Sequence, residues 1–143
     1  MATIKSFTSL EQSKKLAEIL PLESADMHYN NASIKGINYV DEYRAELMNY
    51  NRAIKVLSKY IINHLFEVIP CWSLAALLSL IPQEIFDGEY IINITEGCDN
   101  KWILTYDHFE NRNHSYYGLS TGADNLVDAC YKLILKLNEL NLL

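Results

Sequence analysis

The chain has few of the residues that interrupt regular secondary structure, with 5 glycines and 3 prolines among 143 residues. An all-β fold with many tight turns needs more of both, so this architecture is disfavoured. Charge is also limited, because 21% of the residues are charged whereas 50% are hydrophobic. A chain of this length and balance can bury a core, and we expect one globular domain over residues 1–143, without disorder.

Positive charge is sparse and scattered: 12 Lys and Arg are outnumbered by 18 Asp and Glu, which gives a net charge of −6. Nucleic acids and anionic membranes are bound by clustered basic side chains, so neither is an expected partner. A protein that mimics DNA would need its carboxylates in long stripes, and the sequence shows none. No apolar run approaches the roughly 20 residues of a membrane-spanning helix.

Cysteine is rare as well, and the three cysteines Cys71, Cys98 and Cys130 are far apart and odd in number. The polar first residues do not resemble a signal peptide, so we expect free thiols in a reducing cytoplasm. A thiol at a helix start such as Cys71 can be activated, but Pro70 and Trp72 beside it favour a packed corner.

Motifs of enzyme active sites are missing from the sequence. It contains no Gly-rich phosphate loop, no Gly-x-Ser-x-Gly elbow and no His-Glu-x-x-His helix. We therefore predict no cofactor, no catalytic residue and no metal ligand set, and the sequence leans away from an enzyme.

The most distinctive feature that is present is an apolar segment between two prolines, Pro70 and Pro82. Proline lacks a backbone donor and clashes with the preceding helical turn, so any helix in this segment is confined to the residues between the two prolines. We predict a helix from Ser73 to about Ile81, with Ser73 as its N-cap. Because the segment is apolar nearly all round, we expect it to be buried nearly all round, with the other elements packed around it.

Helices are also predicted near both ends of the chain. Thr8 and Glu11 match a capping box, and the helix that follows should stop at Pro21. The final helix has Thr121 or Asp124 as its expected N-cap. Its apolar stripe consists of Leu126, Val127, Cys130, Leu133, Ile134, Leu137 and Leu140.

The middle of the chain is ambiguous. From about Asp41 the apolar residues recur at spacings of three or four, which favours helix. Asn49 and Asn51 interrupt this pattern, and aromatic and β-branched residues follow at 60–62. Residues 39–66 could therefore form one helix or two, or include a strand.

Strand patterns follow the bracketed helix. Glu89–Thr95 and Lys101–His108 are rich in β-branched and aromatic residues and are joined by a short polar link, as in a hairpin. His114–Leu119 is predicted as a third strand. Helices at both ends and strands between them indicate an α+β fold, with helices packed on one face of a small three-stranded antiparallel sheet.

Aromatic residues are the strongest functional signal. The chain has 10 tyrosines, a residue that is favoured at protein interfaces because it joins an apolar ring to a polar tip. If one face of the sheet is uncovered, these rings form a surface for a protein partner or for a homodimer; otherwise they fill the core. The predicted sheet carries Tyr90, Trp102, Tyr106, Tyr116 and Tyr117.

Two groups of polar residues support an alternative function, a small enzyme or a ligand- or metal-binding protein. Glu23, Asp26 and His28 lie close together in the sequence and could act as general acid and base, although loop capping is the commoner role of such residues. His108 and His114 flank the second predicted turn and could form a metal site with Asp107 or Glu110; histidines beside a loop are usually plain polar residues.

Three blocks carry a resemblance: Leu20–Met27, Pro70–Leu78 and Asn125–Tyr131. Together they resemble a group of short uncharacterised proteins from phages and mobile elements of gut bacteria. The group has no activity to transfer to individual residues. The resemblance implies an accessory cytoplasmic protein of an invading element that binds a host or phage protein, in agreement with a non-enzymatic interaction domain.

Overall fold

The computed structural model describes residues 5–31, 43–61 and 67–143. Within these ranges it contains four α-helices and seven strands in two antiparallel sheets, which confirms the α+β class. The contacts between residues divide the chain into two compact units. One comprises Phe7–Ala76, and the other Leu77–Leu143 with Lys5 and Ser6. A single domain over the whole chain stays a prediction.

The first unit contains a three-stranded antiparallel sheet and two helices. Its elements in chain order are α1 (Leu10–Ala17), β1 (Met27–Asn30), β2 (Arg44–Glu46), α2 (Tyr50–Ile61) and β3 (Val68–Cys71). The central strand β1 pairs with β2 on one side and with β3 on the other. The buried apolar core of this unit is formed by Met27, Tyr29, Ile69 and Cys71.

Helix α1 starts one residue later than the capping pattern predicted. Ser9 is the N-cap: its hydroxyl accepts from the Gln12 amide at 3.2 Å, and the Gln12 side chain accepts from the Ser9 amide at 3.0 Å. Thr8 cannot cap the helix because it is buried and its hydroxyl already contacts Ser13 at 2.7 Å and the Trp72 amide at 3.2 Å. The predicted box of Thr8 and Glu11 is therefore wrong by one position.

The ambiguous middle region contains both a strand and a helix. Arg44–Glu46 pairs with β1, so the helix expected from about Asp41 is wrong at these positions; Asp41 itself lies outside the described residues. The break near residue 49 is confirmed, because α2 starts at Tyr50 and the Asn49 side chain accepts from the Arg52 amide at 3.2 Å. Tyr60 is helical and not in a strand.

The elements of the second unit include β4 (Glu84–Ile85), β5 (Tyr90–Glu96), β6 (Trp102–His108), β7 (Thr121–Ala123) and α4 (Leu126–Glu139). The four strands form an antiparallel sheet in the order β4-β5-β6-β7, and helix α4 contacts β6 and β7. The N-cap of α4 is Asn125, whose side chain accepts from the Asp128 amide at 2.8 Å, so neither Thr121 nor Asp124 has this role.

The third predicted strand, His114–Leu119, is wrong. Only Ser115 forms a bridge, with Asp107, and Tyr117–Leu119 is a turn of 3₁₀ helix. This turn buries Leu119 completely and returns the chain to β6 as strand β7. Burial of one leucine thus displaces the third strand toward the C-terminus.

The apolar segment between the prolines forms helix α3 (Leu74–Leu80), and its predicted cap is confirmed. The Ser73 hydroxyl accepts from the Ala76 amide at 3.2 Å. The predicted all-round burial is wrong, since Leu77 is the one buried residue of this helix. A helix of two turns is positioned by the residues at its ends, and here the flanking Trp72 and Ile81 are buried.

The start of α3 is fixed by hydrogen bonds within the first unit. The Asp26 carboxylate accepts from the Ser73 amide at 2.9 Å and also from the Ser73 hydroxyl. The indole of Trp72 donates to the Ser24 hydroxyl at 2.9 Å. These contacts tie the chain before β1 to the chain after β3.

We predict that Asp26→Ala lowers the free energy of unfolding by about 1–3 kcal/mol, because it leaves the partly buried amide and hydroxyl of Ser73 without their acceptor. Urea denaturation followed by tryptophan fluorescence measures the change. The matched control is Glu23→Ala, which removes an exposed carboxylate three residues away and should stay within about 0.5 kcal/mol of wild type. Equal losses for both variants would contradict this role of Asp26.

Candidate interaction surface

The site is organised by the pairing of β5 with β6, which extends over the full length of both strands. Tyr90 lies directly opposite His108, and Ile92 lies opposite Tyr106. Side chains of directly opposed residues project from the same face of an antiparallel sheet. The register therefore places Tyr90, from the candidate aromatic surface, beside His108, from the candidate polar residues.

A tight turn adds a further ring at this end of the sheet. Asp87 and Gly88 have φ values of 56° and 86°, and the Glu89 amide donates to the Phe86 carbonyl at 3.1 Å. Positive φ at both central residues is typical of a type I′ hairpin turn, for which Asp-Gly is a favoured sequence. This turn joins β4 to β5 and places Phe86 at the same end of the sheet.

Five aromatic rings meet here, and we call Phe86, Tyr90, His108, His114 and Tyr116 the aromatic cluster. Ring centroids are 5.3 Å apart for Phe86 and Tyr116, 5.4 Å for Tyr90 and His108, and 6.3 Å for the two histidines. These three contacts are edge-to-face, the arrangement that the ring quadrupole favours. No member is fully buried, and Phe86 is 43% exposed.

The segment after β6 brings the last two rings to the cluster. The amide of His108 donates to the carbonyl of His114 at 2.8 Å, and the amide of Tyr116 donates to the carbonyl of Tyr106 at 2.8 Å. These bonds hold the segment against the strand. Residues that the sequence placed in separate candidate groups, one aromatic and one polar, thus meet in one surface.

The other predicted aromatic residues lie elsewhere. Tyr106 is completely buried, its hydroxyl donates to the Pro82 carbonyl at 2.6 Å, and burial raises its pKa, so it belongs to the core and not to a surface. Trp102 is partly buried at the opposite end of β6, beside Glu96. Tyr117 is 81% exposed and follows the cluster in sequence.

The two cluster histidines do not form a metal centre with nearby carboxylates. Nδ1 of His108 accepts from the amides of Glu110 and Asn111 at 3.2 and 3.3 Å, and its Nε2 lies 3.8 Å from a Glu89 oxygen. Throughout residues 5–31, 43–61 and 67–143, no three His, Cys, Asp or Glu side chains are arranged to hold a metal ion.

Asp107, a carboxylate that the sequence offered as a ligand, is engaged on the strand. It accepts from the Ser115 hydroxyl at 2.7 Å and from the Asn93 amide group at 2.9 Å. Burial by itself would raise the pKa of Asp107, but these hydrogen bonds favour the ionised form and the net pKa is lowered. Its role in the structure is to fasten the segment after β6.

A shallow acidic depression of about 340 Å³ lies beside the aromatic cluster. Its lining includes His108 and the exposed Phe109 together with three carboxylate residues, Asp87, Glu89 and Glu110. The carboxylates are exposed. This end of the sheet therefore combines aromatic rings with negative charge.

The three residues of the second polar group, Glu23, Asp26 and His28, do not form one site, and Asp26 and His28 have structural partners. Glu23 is exposed on a 3₁₀ turn. Asp26 accepts hydrogen bonds from Ser73, the N-cap of α3. His28 is 1% exposed; its Nδ1 donates to the Met48 carbonyl at 2.7 Å, and its Nε2 accepts from Asn30 at 3.0 Å. A carbonyl can only accept, so the contact with Met48 places a proton on Nδ1 of His28.

Two of the three cysteines are inert by location. Cys71 and Cys130 are fully buried, and burial raises the pKa of both thiols, that of Cys130 to about 12. Cys71 packs in the corner that its neighbours indicated, with its sulfur 3.6 Å from the Thr8 hydroxyl. Cys98 is exposed on the link between β5 and β6.

Comparison with known proteins does not extend this picture. The chain matched no family model, and neither the curated proteins nor the solved structures gave a match. Of the helices in the described part of the chain, none combines the length and apolar character needed to cross a membrane.

We predict that a disulfide-exchange reagent such as Ellman's reagent modifies one thiol in the native protein and all three after unfolding. Cys98 should react at once, because the other two thiols are buried and have raised pKa values. Absorbance of the released thiolate counts the reacting groups. A Cys98→Ser variant should show no fast reaction; a fast phase in this variant would contradict the burial of Cys71 and Cys130.

We also predict that Asp107 contributes a pH-dependent part of the stability. A carboxyl whose pKa is lowered by folding stabilises the protein above its unfolded pKa, ordinarily 3.8, and this contribution is lost as the pH falls through the lower folded value. We expect the melting temperature of wild type to exceed that of Asp107→Asn near pH 7. The two melting temperatures should converge as the pH is lowered to about 2. A constant difference would contradict the assignment.

Proposed function

We propose that the chain is a non-enzymatic protein-binding domain and that the aromatic cluster, with the carboxylates around it, is its binding surface. The observation that carries the proposal is the meeting of five rings at an end of the sheet where none of them is fully buried. Aromatic side chains with a polar tip are enriched at the centres of protein interfaces. Tyr90, His108, His114 and Tyr116 all have this character.

Backbone strain at Phe86 supports a role outside the core. Its φ of 53° lies in the left-handed region, where a bulky residue is an outlier and costs on the order of 1–3 kcal/mol. Full burial of the ring would offset such a cost, but Phe86 is 43% exposed. Strain of this kind persists at functional surfaces, where a partner covers the ring that the turn presents.

The charge around the cluster indicates the chemistry of the partner. Asp87, Glu89 and Glu110 are exposed beside the rings, and the whole chain has a net charge of −6. A basic segment of a partner protein matches this surface, because Arg can stack on an aromatic ring while it pairs with a carboxylate. We infer that the partner presents arginine to the aromatic cluster.

The biological setting is a proposal of its own, and it rests on the sequence resemblance. The blocks Leu20–Met27, Pro70–Leu78 and Asn125–Tyr131 resemble short proteins of phages and mobile elements. In that setting the chain is an accessory cytoplasmic protein, and its partner is a host or phage protein. The enzymatic alternative has less support, because Asp26 and His28 are engaged in bonds that hold the fold.

A tetra-arginine peptide tests the binding surface. We expect backbone amide shifts in the ¹⁵N spectrum at Tyr90, His108 and Tyr116, a weaker effect from tetra-lysine, which cannot stack as a plane, and none from tetra-glutamate. Phe86→Gly should lower the affinity about tenfold. The free energy of unfolding should change by less than about 1 kcal/mol, because relief of the backbone strain compensates for the loss of the ring contacts.

The matched control is Tyr117→Ala, which removes a more exposed ring from outside the aromatic cluster and should leave the affinity within about twofold. Two results would overturn the proposed surface: shifts that map away from the cluster, or equal loss of affinity in Phe86→Gly and Tyr117→Ala.

A further inference from the structure

Strand β5 is paired over its full length on one side only. Its inner edge pairs with β6 at all seven residues, whereas on the outer edge β4 covers just Tyr90 and Ile91. One further bond, from the Ile92 amide to the Gln83 carbonyl at 2.9 Å, extends that cover. In the part of the chain that the structure describes, no strand pairs with the outer edge from Asn93 to Glu96.

Hydrogen bonds on both sides of the strand show which of its backbone groups face this open edge. Ile92 donates outward to Gln83, whereas the Gly97 amide donates across the link to the Lys101 carbonyl at 2.7 Å. In an antiparallel ladder, successive residues direct their N–H and C=O groups to alternate sides. The N–H and C=O groups of Ile94 and Glu96 therefore face outward.

The open edge lacks most of the features that usually protect such strands. Natural edges carry lysine or other charged residues, proline or a bulge, and from Asn93 to Glu96 the charge of Glu96 at the end is the single feature of this kind. The residues from Asn93 to Glu96 are exposed, and the Ile94 side chain is 39% exposed. An exposed edge with β-branched residues is a template for the addition of another strand.

We propose that this edge pairs with the same edge of a second copy of the chain, antiparallel about a two-fold axis at Thr95. The backbone groups select this register. An axis at Ile94 would bring Ile92 into pairing, and its amide is already bonded to Gln83. An axis at Glu96 would place two like charges directly opposite each other, which is destabilising.

With the axis at Thr95, the open groups match. Ile94 lies opposite Glu96 of the second copy, and each such pair can exchange both of its outward hydrogen bonds. Thr95 faces its own equivalent in a non-hydrogen-bonded pair, a favourable cross-strand contact for threonine. This register satisfies the exposed backbone groups without opposing like charges, and the surface is the same in both copies, as a two-fold dimer requires.

The inference goes beyond the arginine-binding surface and does not depend on it. The open edge lies at the end of β5 away from Tyr90 and involves backbone groups, whereas the proposed function uses side chains of the aromatic cluster. Variants at Phe86 should leave the edge unchanged, so failure of one proposal is distinguishable from failure of the other.

Disulfide cross-linking in a Cys98→Ser background tests the register. Residues opposed in a non-hydrogen-bonded pair have Cα atoms about 4.5 Å apart, within disulfide range. Thr95→Cys should therefore give a covalent dimer of twice 16.5 kDa on a non-reducing gel after mild oxidation. The matched control is Asn93→Cys on the same strand and face, whose equivalent in the second copy would lie about 13 Å away.

We expect at least tenfold more covalent dimer from Thr95→Cys than from Asn93→Cys. Similar yields from both variants, or no dimer from Thr95→Cys, would overturn the proposal.

Sedimentation equilibrium supplies a second test. Ile94→Pro removes an outward donor without touching the ladder to β6 and should raise the dimer dissociation constant at least tenfold relative to Ile94→Ala, which keeps the donor. Equal constants for these two variants would also overturn it.

Discussion

The pairing of β5 with β6 is the constraint on which both proposed surfaces of this protein depend. Its register runs without a bulge from Tyr90 opposite His108 to Glu96 opposite Trp102. Since side chains alternate between faces and backbone groups alternate between edges, a shift by one residue would exchange both sets. The same register that brings a tyrosine beside a histidine also directs the backbone of Ile94 and Glu96 outward.

The two ends of β5 differ because β4 is so short. At the first end, the Asp87-Gly88 turn pairs β4 with Tyr90 and adds a strained phenylalanine to the rings around it. At the far end, the strand continues past its partner and exposes its edge. One strand thus offers two different kinds of surface, a cluster of side chains with acidic neighbours and a row of backbone donors and acceptors.

Local patterns predicted several elements well. The α4 stripe, the hairpin of β5 and β6, and Ser73 as the cap of α3 follow from periodicity and from the chemistry of single residues. The stripe is wrong only at Leu140, which lies beyond the end of α4 and is 43% exposed. The sequence also named four of the five cluster residues, although in two separate groups. Phe86 was missed, and the Asp-Gly pair after it is the signal that would have revealed the extra hairpin.

The sequence by itself determined where helices and strands could form, because hydrophobic period, proline positions and capping side chains act over a few residues. Tertiary structure decided which residue caps α1, since Thr8 is buried and the N-cap is Ser9. It also decided that α3 buries only Leu77 and that the third strand lies after Leu119. Such outcomes depend on burial between residues distant in the chain, and no local pattern encodes that competition for the core.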